Sequence, residues 1–269
     1  GIGSGERPTT YYLLRQTMNI LVEKNNGVTH ITLNRPPLNV LDIATMRELT
    51  TALCDADADT SSRVVVLGAQ GKFFSAGVDI ADHTAERVTE MLTVFHNLIH
   101  VLWSLEPPVV AAVQGSALGG GMELAFACDF IVASDKAKFA QPEIQVGVFP
   151  PIAALALPRL LPRKKAFELL LTGDAIDAAT AERLGLVNVV AAAADFENAL
   201  NNFVARLNKL SGAVLRLTKR AALIPLHGEN EHALREIEAL YLNELMKTAD
   251  AQEGLAAFME KRAAVWTDK

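Results

Sequence analysis

Residues 117–123 read Ala117-Leu118-Gly119-Gly120-Gly121-Met122-Glu123, and Leu124-Ala125-Phe126-Ala127-Cys128 follow with no further charge. The stretch comes just after a β-branched run, Val109-Val110-Ala111-Ala112-Val113, and opens an apolar helix. Strand, glycine turn and helix in that order begin an α/β unit, and the first helical N–H groups are left free to meet an anion. The carboxylate inside this unit is costly to bury unless it is paired, hydrogen-bonded or protonated. A second glutamate, Glu143, follows Gln141-Pro142 twenty positions further on. Two carboxyls facing one small molecule can divide acid and base work.

Upstream, Val64-Val65-Val66-Leu67 has the continuous apolar character of a strand covered on both faces. It leads into Gly71-Lys72-Phe73-Phe74-Ser75-Ala76-Gly77-Val78-Asp79, where small residues let the chain turn sharply with its amides outward. Two such loops after neighbouring strands can each give one amide to an oxyanion hole. Residues 20–33 read as two short strands around Asn26-Gly27, a hairpin signal, and Phe130-Ile131-Val132-Ala133 as another buried strand. Residues 46–58 and 85–103 carry helical patterns between them. From about residue 196 only helix is expected. Val214, Leu217, Ala221 and Ile224 recur at helical spacing, as do Leu234, Ile237, Tyr241 and Leu245. This last part is too short for a core of its own, so it is expected to pack on the main domain or on a neighbouring subunit. The chain thus divides into an extension (1–17, with Met18 a natural start), an α/β core (18–195) and a helical region (196–269).

With half its residues hydrophobic, the chain can bury a sizeable core. Its 31 acidic and 25 basic residues leave a net charge of −6, which argues against nucleic acid as a partner. Cys54 and Cys128 show neither metal nor disulfide spacing, as suits a reducing compartment. No apolar run reaches the roughly 20 residues that span a bilayer, and no secretory leader is visible, so the expectation is a cytoplasmic protein with no membrane partner. His96 and His100 lie four apart on a helix, but without an intervening Glu or a third ligand they are read as packing or surface residues and no metal is expected. His83 is read as structural or gating, and Asp79 as the cap of its turn.

Taken together, these segments resemble the crotonase, or enoyl-CoA hydratase/isomerase, superfamily. The resemblance runs from about residue 20 to the C-terminus. Its carriers are Leu33-Asn34-Arg35-Pro36, Phe74-Ser75-Ala76-Gly77-Val78-Asp79, the Gly119–Glu123 stretch, Gln141-Pro142-Glu143-Ile144, Leu171-Thr172-Gly173-Asp174 and Phe258-Met259-Glu260-Lys261-Arg262. It implies a spiral of β-β-α units with a helical C-terminal trimerisation region, a homotrimer or homohexamer, and an acyl-CoA thioester as substrate, with no cofactor beyond the coenzyme A that the substrate carries. By position it assigns the oxyanion hole to the backbone N–H of Val78 and Gly120. Glu123 is assigned to activating water and Glu143 to delivering a proton. Ala76, Asp79, Ile80, Pro151 and Ile152 fall in the substrate-binding segments. Lys261 falls where the family reaches the coenzyme A phosphates of a neighbouring subunit.

One segment departs from the ordinary hydratases. After Glu143 the chain reads Ile144-Gln145-Val146-Gly147-Val148-Phe149-Pro150-Pro151-Ile152-Ala153-Ala154. Ordinary members carry Pro-Gly-Ala-Gly-Gly here, with a glycine amide near the catalytic water. Pro151 has no N–H to offer. The 147–151 run and Asp79-Ile80-Ala81-Asp82-His83-Thr84 are similar to the cyclohexa-1,5-diene-1-carbonyl-CoA hydratases, which points to a cyclic dienoyl thioester. The competing readings are a straight-chain hydratase or isomerase, a serine hydrolase using Ser75 or Ser116, and a non-catalytic acyl-CoA- or RNA-binding member. Neither serine lies in Gly-x-Ser-x-Gly, and both glutamates are present, which weighs against the last two.

Overall fold

A computed structural model describes residues 18–223, 234–235, 237–239 and 241–265. The predicted extension over 1–17 and the helical position Ile224 lie outside the described residues.

Strands β1 (Ile20–Asn25) and β2 (Val28–Leu33) form the expected antiparallel hairpin, turning at Asn26-Gly27. Then β2 pairs in parallel with β3 (Val64–Ala69), β3 with β4 (Val109–Val113), β4 with β6 (Phe130–Ser134), and β6 with β9 (Val189–Ala191). The result is a six-stranded sheet in the order β1-β2-β3-β4-β6-β9. A smaller sheet joins β5 (Ala117–Leu118), β7 (Lys138–Ala140) and β8 (Ile176–Asp177).

The β-branched runs are apolar at every position because both faces of the main sheet are covered. Val65, Leu67, Val109, Ala111, Ile131 and Ala133 face one core with helices α1 (Ile43–Ala58) and α2 (Val88–Ser104). Val64, Val66, Val110, Ala112 and Val132 face a second core closed by Phe196, Leu200, Phe203 and Val204 of a later helix, Phe196–Asn208. Helix α1 starts at Ile43, earlier than the expected residue 46, because the Asp42 carboxylate accepts from Thr45 N at 2.7 Å and caps it. Helix α2 starts at Val88, not 85, since Ile80–His83 forms a separate 3₁₀ turn.

Helix α3 (Gly120–Ala127) carries Glu123, and a 3₁₀ turn, Pro142–Val146, carries Glu143. Helices α4 (Pro151–Leu160), α5 (Arg163–Thr172) and α6 (Ala178–Arg183) complete the core, with α7 (Phe196–Asn208) closing the second face. Among the described residues from 196 onward there is no strand: α8 (Gly212–Leu223), the helical residues 241–243 and α9 (Ala249–Met259) follow.

Helix α8 docks through its polar side. Arg216 Nη atoms donate to the carbonyls of Asp57, Asp59 and Ser62 at 3.2, 3.1 and 3.0 Å, and Lys219 Nζ lies 2.6 Å from the Asp129 carboxylate. The apolar residues picked out by periodicity, Val214 and Leu217, point away from the core and are 60% and 54% exposed. None of the helices among the described residues is long and apolar enough to cross a membrane.

Candidate active site

The two glycine-bearing loops are zipped together. Phe74 N donates to Ser116 O and Leu118 N to Ser75 O, both at 3.0 Å, and Ser75 bridges Ala117 in parallel. Ser75 is fully buried, and its hydroxyl donates to Asn39 O at 2.8 Å while accepting from Gly77 N at 3.1 Å. It pins the loop, and its oxygen is not free for nucleophilic work.

Val78 is fixed from one side. Leu41 N donates to Gly77 O at 2.9 Å and Asp79 N to Leu41 O at 3.1 Å. Bonds on either side of Val78 turn its own N–H the other way, toward the start of α3. There Gly120 comes so close that a Cβ added to it would lie 3.3 Å from Val78 N. A Cβ on Gly77 would in turn lie 3.3 Å from Gly120 N. Among the described residues no acceptor takes the N–H of Val78 or of Gly120. Two uncommitted amides, one from a bridge and one from the first turn of a helix, therefore stand side by side.

Pairing of β5 with β7 places Leu118 opposite Ala140, and Gly119 N donates to Ala140 O at 2.9 Å. Three residues beyond β7, the Glu143 carboxyl comes against Gly119, whose φ is +52°. A Cβ at Gly119 would meet Glu143 Oε1 at 2.5 Å. Only glycine allows both that backbone conformation and that approach.

Glu123 is 3% exposed, and its Oε1 accepts from Ala153 N at 2.7 Å, with the Ile152 amide also favouring its charged form. Burial outweighs these donors and pushes Glu123 up to about 7. Glu143 Oε2 is buried without a hydrogen-bond partner. Burial first, and then the charge of Glu123, holds the Glu143 carboxyl well above the usual carboxylate range. The two carboxyls thus titrate as one coupled pair, both held above the usual carboxylate range.

The remaining predicted residues fall around this centre in different ways. Pro151 occupies the first position of α4 and lacks an N–H, but the next two amides of that helix are the ones that face Glu123. The expected loss of a donor is thus local to position 151. Ile152 exposes no side-chain surface at all. Asp79 caps its turn, as expected, accepting from Ala81 N at 3.0 Å. His83 Nδ1 lies 3.0 Å from Asp79 O, and burial pushes its imidazole below the usual range. Ala76 donates its N–H to Leu38 O at 2.8 Å beside Gly77, and Ile80 packs partly buried against the main core. Lys261 is exposed just beyond the end of α9, the helix that packs on the Pro142–Val146 turn. His96 is buried with neither ring nitrogen hydrogen-bonded, its Nδ1 3.6 Å from Glu238, while His100 stacks edge-on against Trp103. Among the described residues no cluster of His, Cys, Asp and Glu forms a metal site.

Sequence reasoning missed the donors to Glu123, which arise thirty positions away, and it read Tyr241 only as one more apolar helical position. In fact it is almost wholly buried, with its ring edge-on against Phe149, and burial, followed by the charges of Glu143 and Glu123, pushes its phenol upward.

Comparison with known proteins agrees with this geometry. The sequence signature described as enoyl-CoA hydratase/isomerase matches residues 23–269. The chain is 36% identical to a cyclohexa-1,5-dienecarbonyl-CoA hydratase of Thauera aromatica over 94% of its own length and 97% of that protein's. It is 35% identical to a crotonyl-CoA hydratase of Syntrophomonas wolfei, covering 93% of this chain and 98% of the relative. The crystal structure of an enoyl-CoA hydratase from Mycobacterium avium subsp. paratuberculosis superposes with a TM-score of 0.84 at 30% identity, over 93% of this chain and 99% of that one. The mixed α/β architecture, the paired loops and the near full-length matches together make this chain a member of the enoyl-CoA hydratase/isomerase family.

Proposed function

We propose that the protein is a hydro-lyase that adds water across a conjugated double bond of an acyl-CoA thioester. The observation that carries this reading is the pair of uncommitted amides, Val78 and Gly120, standing beside two buried carboxyls, Glu123 and Glu143. The thioester oxygen accepts from both amides. Glu123, ionised and held by the α4 amides, takes a proton from water as the water oxygen bonds to the β-carbon. The π electrons move to the thioester, and the resulting enolate oxygen is stabilised by the two N–H groups. The enolate then collapses as Glu143 delivers its proton to the α-carbon. Coenzyme A enters as part of the substrate, and no cofactor takes part in these steps.

A cyclic conjugated dienoyl thioester is the acyl group this reading favours over a straight chain. Its supports are the Gly147–Pro151 run, the filled space at Ile152 and Ala153, and the name of the Thauera relative. A rigid ring needs little restraint from its pocket.

The active form in this reading is a homotrimer or a dimer of trimers. Its support is α8, which turns charged residues inward and leaves Val214 and Leu217 uncovered. Lys261, on the same C-terminal region, reaches the coenzyme A phosphates bound by a neighbouring subunit.

The test is a panel of linear and cyclic enoyl-CoAs, run with the wild type, Glu123→Gln and Glu143→Gln. Hydration by the wild type and loss of at least about 10²-fold in each variant is the expected result. Wild-type rates in both variants would refute the mechanism. Much faster hydration of crotonyl-CoA than of the cyclic dienoyl-CoA would refute the ring preference.

A further inference from the structure

Toward the C-terminal ends of α2, α3 and α4 lies a cavity of about 840 Å³, within the range of about 300–1,000 Å³ typical of small-molecule sites. None of Val78, Gly120, Glu123 and Glu143 lines it. On α3 it reaches Phe126, the last residue but one, and on α4 it begins at Leu155, beyond the amides that face Glu123. Its buried apolar lining is Phe126, Leu155 and Leu234. Among the described residues its one buried polar side chain is His96, 4% exposed, with neither ring nitrogen hydrogen-bonded. A buried polar group left unpaired is costly, so a ligand atom that pairs with this imidazole gains most. Nδ1 lies 3.6 Å from a carboxylate oxygen of Glu238, which lines the same cavity. Burial pushes the imidazole below its usual range, so the ring is neutral at pH 7 and carries one proton. The neighbouring carboxylate draws that proton to Nδ1 and leaves Nε2 a bare acceptor. His96 and Glu238 thus both offer lone pairs, and an anion placed beside them is repelled. A cation would meet the exposed Arg159 and Arg235, which also line the cavity. A neutral hydrogen-bond donor on an apolar body suits all of these groups.

We propose that this cavity is a second binding site, which takes a neutral, mostly apolar molecule bearing one hydroxyl: the O–H donates to His96 Nε2 and the body packs on Phe126, Leu155 and Leu234. Trp103, also in the lining, adds an aromatic wall that favours a ring. The volume accommodates a fused two-ring phenol. The site shares no residue with the oxyanion loops or the glutamate pair, so it stands whether or not the hydratase reading holds.

The test is calorimetric titration of the whole chain with three probes that share one body: 2-naphthol, which has the O–H; 2-methoxynaphthalene, which lacks it; and 2-naphthoate, which is an anion. The expected result is saturable binding of 2-naphthol at about 10–500 µM, with each of the other two weaker by about five- to tenfold. His96→Leu removes the acceptor and keeps an apolar side chain in its place. It should weaken 2-naphthol by about the same factor and leave 2-methoxynaphthalene within about twofold. A second measurement locates the site: the ¹⁵N resonance of His96 Nε2, assigned by its disappearance in His96→Leu, should move when 2-naphthol is added. No binding of 2-naphthol overturns the proposal, as does equal affinity for 2-naphthol and its methyl ether. Tighter binding of 2-naphthoate, through the arginines, overturns the choice of a neutral donor. Binding that leaves the His96 resonance unmoved places the probe elsewhere and overturns the site. Should His96→Leu fail to fold, the three-probe comparison and the wild-type ¹⁵N shift, with the two ring nitrogens distinguished by their couplings to ring protons, still decide the matter.

Discussion

Replacing Glu123 by glutamine should make the protein more stable and inactive, and the gain should depend on pH. The Glu123 carboxyl sits at about 7 in the fold against an ordinary 4.5, because burial disfavours its charge. Between those values the folded protein keeps the proton and the unfolded chain has lost it. Stability is therefore complete below 4.5, declines as pH rises through 7, and levels off above it. The interval of 2.5 units corresponds to about 3 kcal/mol at alkaline pH. Glutamine is neutral throughout and avoids this penalty, while its carbonyl can still accept from Ala153 N. At about pH 8.5 the variant should melt roughly 6–12 °C above wild type, given some 2–4 °C per kcal/mol for a chain of this size. Near pH 4.5 the two curves should converge. Calorimetry of both proteins across this range, at one protein concentration, measures the difference. Hydration by the variant should fall by about 10²–10⁴-fold. An equal or lower melting temperature for the variant at alkaline pH would show that Glu123 carries no such desolvation penalty, and the raised titration of its carboxyl would fall with it.

Gly119→Ala puts a Cβ 2.5 Å from Glu143 Oε1 at a φ of +52°. It should cost about 1–3 kcal/mol of stability and, by displacing the carboxyl, about 10²-fold in kcat, checked by melting and by initial rates. Leu217→Glu places a charge on the uncovered face of α8 and should shift the assembly toward monomer in light scattering; an unchanged mass would remove α8 from the interface. Lys261→Ala should raise KM for the acyl-CoA by about five- to tenfold at low salt and by less at high salt, with kcat little changed. A salt-independent KM effect would argue against a phosphate contact.

The strands and the two glycine loops were legible because their signals are local. A β-branched run such as Val109–Val113 must be covered, and Gly119 stands where a side chain has no room. The resemblance then assigned roles that spacing alone could not. What stayed hidden was set by tertiary contact. Ile152 and Ala153 look like pocket filling in the sequence, yet their amides face Glu123 across the core. Tyr241 falls on an apolar helical stripe, and nothing along the chain says that its ring meets Phe149. Helix α8 shows the reverse case. Its apolar spacing was read correctly, but Arg216 and Lys219 decide which side of the helix meets the core.

Four of the groups at the centre of this site, on Val78, Gly120, Ile152 and Ala153, are peptide N–H groups. An alanine scan leaves every one of them in place, so such a scan tests the two glutamates directly and removes none of these amides. Amide-to-ester replacement by semisynthesis would expose the other half. The same arrangement ties these dipoles to the trace of the chain rather than to any side chain.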